Sequence, residues 1–346
     1  MKSISRRRFL EAATALAAMA PWTRGLAASS IEQPPDLASD GPYPVRTALA
    51  DWQDARRERT VPLKLYVPLL GDATAQAPVT IFSHGLGGSR EGGALWGMHW
   101  ASHGYLAIHV QHPGSDETLW RGREPTSVRE GLRRGISVRT ALDRVADIRF
   151  VVDELERRAH TGDRDVAMAD LARLGMCGHS FGAWTTLAVM GERALPKDRP
   201  GPSLADSRFR AAIAFSPAVG RSRVPDRDRF SAITRPFLSV TGTRDGDMMG
   251  TGATPERRRE AFALMPPPDK YLLVLDGADH MVFNDGAKQP AFGGLTPAQI
   301  ERIDRVVKAT TLAYWNAYLR DDASARRWLV QDARTILAPN DVWEAK

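Results

Sequence analysis

A doubly wound α/β fold, with a mostly parallel sheet flanked by helices on both faces, is what this sequence predicts. Three observations carry that expectation. Short apolar runs alternate with helical patterns along most of the chain. One run leads into Gly178-His179-Ser180-Phe181-Gly182 and then into an Ala- and Leu-rich helical stretch. Another opens into the glycine-rich loop His84-Gly85-Leu86-Gly87-Gly88. Strands that alternate with helices make parallel sheets, because each crossover helix must cover a face. With 346 residues, 43% of them hydrophobic, the chain can bury one large core. No internal repeat divides it, so a single domain is expected over 45–346.

The elements follow in order. Residues 45–50 and 61–67 read as antiparallel strands joined by the polar segment 51–60. Residues 78–83 form a buried strand that ends at the glycine-rich loop. A helix is expected over 96–103 and a strand over 105–110. Residues 136–158 carry Ile136, Leu142, Val145, Ile148, Val152 and Leu155 at helical spacing. The strand 171–177 enters the Gly-x-Ser-x-Gly turn, and 185–190 continues the helix behind it. Strands at 211–215, 236–241 and 271–275 and a helix at 255–264 come next. Thr296-Pro297 is a helix start signal, predicting a long amphipathic helix to 318, and a last short helix lies within 323–337. Residues 114–135 show no strand, carry many arginines, and read as a surface loop or a partial lid.

The N-terminus reads differently. Ser5-Arg6-Arg7-Arg8-Phe9-Leu10 resembles a twin-arginine export signal, an Ala-rich run follows to Ala20, and Gly25-Leu26-Ala27-Ala28 offers small residues for cleavage. Residues 1–30 are therefore expected to be a signal peptide, and 31–44, rich in Pro, Ser and Asp, a tether. The expectation is periplasmic or secreted residence, with the twin-arginine machinery as export partner. The apolar run is too short to span a bilayer comfortably. The leader holds five basic residues against one acidic, so it carries +4 of the chain's formal charge of +6. The basic excess is thus not a binding face, and nucleic-acid binding gains no support. Cys177 is the single cysteine, so no intrachain disulfide is possible; it fits a small buried hydrophobe.

The Gly-x-Ser-x-Gly segment has the form of a nucleophile elbow, with Ser180 on a strained turn between strand and helix. A serine hydroxyl needs a base, and the base needs a carboxylate to fix its tautomer. The chain order for this motif is nucleophile, acid, histidine. Of eight histidines only His280 follows Ser180, so His280 is the base by elimination. The acid should lie at a strand end between them. Asp245, after the run Phe237–Arg244, is the choice; Asp247 and Asp279 are alternatives. An oxyanion needs donors: the N–H of Phe181, next to the nucleophile, and that of Leu86 in the glycine-rich loop. The chemistry so read requires no cofactor. His99 and His103, four apart on a helix, could hold a metal, but no third ligand is evident, and no metal is expected. His179 is expected to pack or hydrogen-bond structurally. Trp96, Trp120, Trp184, Met248 and Met249 are candidates for pocket lining or for core.

These residues resemble the α/β-hydrolases. More narrowly, the chain is similar to bacterial predicted dienelactone hydrolases and to the platelet-activating-factor acetylhydrolase group, with cutinase-like polyester hydrolases more distant. The likeness rests on Arg59-Thr60-Val61-Pro62-Leu63, Phe82-Ser83-His84-Gly85-Leu86-Gly87-Gly88, Ala101-Ser102-His103-Gly104-Tyr105, residues 147–155 and Gly178-His179-Ser180-Phe181-Gly182, and covers most of 45–285. It implies a serine esterase acting on small-molecule or lipid-like esters. Two departures qualify it. In the acetylhydrolases the acid follows the strand after the elbow helix, where this chain reads Phe215-Ser216-Pro217. Dienelactone hydrolases use a cysteine nucleophile, where this chain has Ser180. The alternatives are an acetylhydrolase-like phospholipase and a non-catalytic binding protein on the same scaffold.

Overall fold

The chain opens with a hairpin whose long strands, β1 (Val45–Asp54) and β2 (Arg59–Pro68), pair in antiparallel register from Val45 opposite Pro68 to Asp54 opposite Arg59. The computed structural model describes residues 36–72, 74–193, 203–217, 224–246, 252–284 and 294–346. The expected leader, Asp247, Met248 and Met249 lie outside them. After the hairpin come β3 (Ala77–Ser83), α1 (Ala94–Ser102), β4 (Leu106–Val110), α2 (Pro125–Gly135), α3 (Val138–His160), β5 (Ala169–His179) and α4 (Phe181–Met190). The second half runs β6 (Phe209–Phe215), α5 (Asp226–Arg229), β7 (Phe237–Arg244), α6 (Arg257–Leu264), β8 (Lys270–Asp279), α7 (Pro297–Leu319), α8 (Ala323–Gln331) and β9 (Val342–Ala345).

The strands form one nine-stranded sheet in the order β1-β2-β4-β3-β5-β6-β7-β8-β9. Its centre, β4 through β8, is parallel, and the outer pairings are antiparallel. The expected mostly parallel α/β sheet is therefore what forms. Successive strand side chains point to opposite faces. Ile81, Met176 and Ala212 enter one core, beneath α3 and α4, while their neighbours Phe82, Cys177 and Ile213 enter the other, beneath α1 and α7. Cys177 is buried, and burial pushes its thiol pKa up, which leaves it unreactive.

The order reverses at β3. The connection from β3 goes to β4 on one side, and β5 lies on the other. Such a switch point opens a crevice at the carboxyl ends of the two strands. The glycine-rich loop leaves β3 there, and the Ser180 turn leaves β5.

Helix ends are set by local chemistry. Ser137 and Thr140 form a reciprocal capping box at the start of α3, and Thr296 and Gln299 do the same for α7, with Pro297 in its first turn. The apolar stripe expected for α3 is buried only from Arg144 onward. Ile136 precedes the helix at 45% exposure and Leu142 is 47% exposed. No helix among the described residues is long and apolar enough to cross a membrane.

Three stretches differ from expectation. Residues 114–135 are not an irregular loop: they contain a short 3₁₀ turn and α2. Residues 36–44 are docked on α1 and not extended as a tether. His99 and His103 donate from Nε2 to the carbonyls of Leu37 and Ser39 at 3.1 and 3.0 Å, and the Gly41 N–H reaches Ser102 Oγ at 2.9 Å. Both histidine Nε2 atoms are therefore committed to backbone. Finally, β9 was not evident in the sequence. It pairs antiparallel with the edge of β8, and Trp343, nearly buried, donates from Nε1 to the Leu329 carbonyl at 2.8 Å. Trp343→Ala should lower stability by about 3 kcal/mol through the cavity it leaves, read as an earlier denaturant midpoint at unchanged slope.

Candidate active site

Ser180 sits between β5 and α4 with φ 55° and ψ −111°, a strained conformation for a side chain other than glycine. Its backbone is fixed from both directions. The N–H donates to the Phe215 carbonyl at 2.9 Å, and the carbonyl accepts from the Trp184 N–H at 3.1 Å. The turn closes because Gly182 lies against the Ser83 carbonyl and Gly178 against the Gly182 carbonyl, where a β-carbon would collide with backbone. The hydroxyl is left projecting into the crevice.

His280 follows the end of β8. Its Nε2 lies 3.0 Å from Ser180 Oγ, and its Nδ1 lies 2.8 Å from Asp245 Oδ1. Asp245 is fully buried just past β7, and its other oxygen accepts from Thr241 Oγ1 at 2.8 Å. Asp279 is spent elsewhere: its Oδ1 accepts the Met281 and Val282 N–H groups at 3.0 and 3.1 Å, which shapes the loop carrying His280. Trp96 braces the same loop by donating from Nε1 to the Phe283 carbonyl at 2.9 Å. It is core, as are most of its surroundings. His179 donates from Nε2 to the His280 carbonyl at 2.8 Å, and burial holds its pKa far below the usual value, so it stays neutral.

A residue that the sequence did not flag completes this corner. Arg258, on α6, lies 2.6 Å from Asp245 Oδ1 through Nε and donates from Nη1 to the Ser216 carbonyl at 2.8 Å. Burial by itself would raise the Asp245 carboxyl; the His280 hydrogen bond and the Arg258 charge outweigh it and hold it below the usual carboxylate range. Arg258 stands in the run Arg257-Arg258-Arg259, and nothing in that run distinguishes it as the buried member.

The glycine-rich loop is held by a directed chain of hydrogen bonds. His84 Nδ1 donates to the Gly85 carbonyl at 2.6 Å, while its Nε2 accepts the His112 N–H at 3.0 Å. The Gly85 carbonyl also accepts the Gly88 N–H at 3.1 Å. A trans peptide points its N–H opposite its carbonyl. Holding the Gly85 carbonyl inside the loop therefore turns the Leu86 N–H outward. The Phe181 N–H is in the uncapped first turn of α4, where helix N–H groups have no internal partner. The Gly87 N–H is bound to the Ser115 carbonyl at 2.9 Å, and Trp120 donates from Nε1 to the Gly87 carbonyl at 2.6 Å. Residues 115–120 thus brace the loop from outside.

Behind it lies a second, fully buried Ser–His–Asp line. Ser83 Oγ is 3.0 Å from His112 Nε2, and His112 Nδ1 is 3.0 Å from Asp147 Oδ2. Arg57 and Arg59 close on the same carboxylate at 2.8 and 2.7 Å. With all three members buried it has no route to a substrate. The sequence carried one signal of it: charged Arg144 and Asp147 flank Val145 and Ile148 within the apolar stripe of α3.

A serine, an imidazole and a carboxylate in line can deprotonate a hydroxyl, and N–H groups without an internal partner are the kind of donor an oxyanion needs. The family model for platelet-activating factor acetylhydrolase, isoform II, matches residues 56–120, the stretch that holds β2, β3, the glycine-rich loop and β4. The chain is related to the platelet-activating-factor acetylhydrolase group of α/β-hydrolases. The platelet-activating factor acetylhydrolase of Bos taurus is 22% identical over 236 residues, 60% of this chain and 48% of the relative. That of Cavia porcellus is 25% identical over 262 residues, 65% and 52%. The chain spans about half the length of the curated relatives it matches.

Two outcomes test this geometry. Gly182→Ala drives a methyl group into the Ser83 carbonyl and should cost about 3 kcal/mol or more; a variant that melts with the wild type would refute the close approach. Asp147 gives a pH signature. Burial would raise its carboxyl, but hydrogen bonds from His112 and Arg59 outweigh this and hold it below its usual value. The folded state then binds that proton more weakly than the unfolded state. Its stabilisation is complete above the unfolded value of about 4 and is lost as pH falls through the folded one. The stability gap between wild type and Asp147→Asn should be widest near neutrality and narrow as pH drops below about 4, measured by denaturant titration at each pH.

Proposed function

We propose that the protein is a serine hydrolase that cleaves carboxylic esters through an acyl-enzyme. The observation that carries this reading is the line from Ser180 through His280 to Asp245, at 3.0 and 2.8 Å. Ser180 Oγ attacks the ester carbonyl while His280 Nε2 takes its proton. The carbonyl oxygen gains charge and is held by the N–H groups of Leu86 and Phe181. His280 then gives the proton to the departing alcohol. Water, deprotonated by His280, releases the acid and restores Ser180. Asp245 keeps the Nδ1–H tautomer, so that Nε2 is free to accept.

The substrates on this reading are small-molecule or lipid-like esters, in keeping with the names of the related acetylhydrolases. Export by the twin-arginine route is part of the proposal and rests on Ser5-Arg6-Arg7-Arg8-Phe9-Leu10 and the run behind it. A phospholipid acetylhydrolase is the second reading, favoured by those relatives. Against it stands the acid: this chain offers Ser216 after β6, where the resemblance to that group implies an aspartate, and Asp245 after β7.

Hydrolysis of p-nitrophenyl esters from acetate to decanoate should be lost by at least about 10⁴-fold in Ser180→Ala. The wild type should also take up a fluorophosphonate label that the variant refuses. Equal inertness of both proteins on every ester, with no labelling, would end the hydrolase reading. Activity that rises sharply on phospholipid aggregates would favour the acetylhydrolase reading.

A further inference from the structure

The most costly group near the crevice is Arg144, on α3. It is fully buried and, among the described residues, hydrogen-bonds to no carboxylate. Burial lowers its pKa to about 9, which still leaves it cationic at neutral pH. A buried cation without a bonded anion is strongly disfavoured, so its retention calls for a compensating role.

Its partners indicate that role. Nη2 donates to the His84 carbonyl and, at 3.3 Å, to Ser83 Oγ; Nη1 donates to Ser115 Oγ at 2.9 Å; Nε donates to Thr185 Oγ1 at 3.3 Å. The guanidinium also lies 4.5 Å from the centre of the Phe181 ring. One side chain therefore spans the end of β3, the glycine-rich loop, the loop after β4, and α4. The contacts bracket both N–H groups read above as oxyanion donors. The His84 carbonyl fixes the peptide before Gly85. Ser115, gripped through Oγ, holds the Gly87 N–H with its carbonyl. The peptide carrying the Leu86 N–H is thus pinned on both sides, and the ring of Phe181 is held by the same cation.

We propose that Arg144 is the positioning residue of the oxyanion site: it sets the distance between the Leu86 and Phe181 N–H groups and places a positive charge behind them. The inference rests on the hydrolase reading given above. The guanidinium touches no substrate. It acts by fixing two backbone donors that strengthen their hold only when the carbonyl oxygen becomes an oxyanion.

The test compares wild type, Arg144→Gln, Arg144→Lys and Ser115→Ala. Active sites are counted by fluorophosphonate titration, and rates are expressed per titrated site. A trifluoromethyl ketone, which forms a tetrahedral oxyanion with the serine, reports the affinity of the site. Arg144→Gln should lose about 10²-fold in kcat, with KM changed no more than about twofold, and should lose ketone affinity in parallel. Arg144→Lys keeps the charge but not the four-point reach and should fall between. Ser115→Ala removes one anchor and should lose about fivefold; it carries the test if Arg144→Gln fails to fold. A merely structural role would lower the melting temperature and the number of titrated sites, leaving kcat per site and the ratio of ketone affinity to KM at wild-type values. That result, in an active wild type, overturns the proposal alone. An inert, unlabelled wild type overturns the hydrolase reading and this proposal with it.

Discussion

The site depends on one backbone approach, that of Gly182 to the carbonyl of Ser83. It brings the start of α4 against the end of β3 at the point where the sheet order reverses. There α1 departs toward one face and α4 toward the other, so the carboxyl ends of β3 and β5 border the crevice without a helix across it. The elbow serine and the glycine-rich loop are neighbours for that reason. Any side chain at 182 would part them, and the two sets of N–H groups would separate with them. The strain at Ser180, with φ 55°, is maintained by the same contact and by the Phe215 and Trp184 hydrogen bonds on either side.

Two buried guanidiniums frame the crevice in opposite ways. Arg258 has a carboxylate partner, Asp245, and shares it with His280. The two hold Oδ1 and favour the ionised acid, while Thr241 donates to Oδ2 and completes its fixing. Among the described residues Arg144 bonds only neutral acceptors, and Asp147 and Asp116 act on its charge from a distance. A cation that is already bonded to an anion can do little for a developing oxyanion; one that is not retains its field. Neutral groups around Arg144 satisfy its donors while its carboxylates stay at a distance, which is the arrangement electrostatic preorganisation requires.

The sheet was legible because its central strands are buried on both faces and read as continuous apolar runs. Ser180, His280 and Asp245 were legible through motif and chain order, and the structure brings them within hydrogen-bond distance of one another. What escaped depends on tertiary context. Val342-Trp343-Glu344-Ala345 is too short a run to announce a strand; the open edge of β8 supplies the pairing. Residues 36–44 are polar and Pro-containing, and their order comes from His99, His103 and Ser102 on α1. Ile136 and Leu142 fit the helical period yet stay half exposed, since periodicity says which face a residue shares and not where cover ends. Arg144 and Asp147 violate the apolar stripe of α3, and a charged residue within such a stripe is the signal that would have found them.

The carboxylate bonded to His280 stands one strand away from the place where the resemblance implies an acid. The family match covers β2 to β4 and includes the glycine-rich loop. The resemblance implies an acid after β6, but there Ser216 has φ 54°, its N–H is bound to the Val240 carbonyl at 2.7 Å, and its own carbonyl accepts from Arg258. The end of β6 is thus a support for Arg258, and Arg258 in turn grips Asp245 at the end of the next strand. Parallel neighbours finish at the same level, with Phe215 beside Val240, so an acid can move one strand over and still meet a histidine delivered from β8. The histidine approaches over β7 because β8 is the next strand out. A carboxylate beneath it there needs a shorter reach than one from β6, and the carbonyl at the end of β6 is taken up by the Arg258 guanidinium.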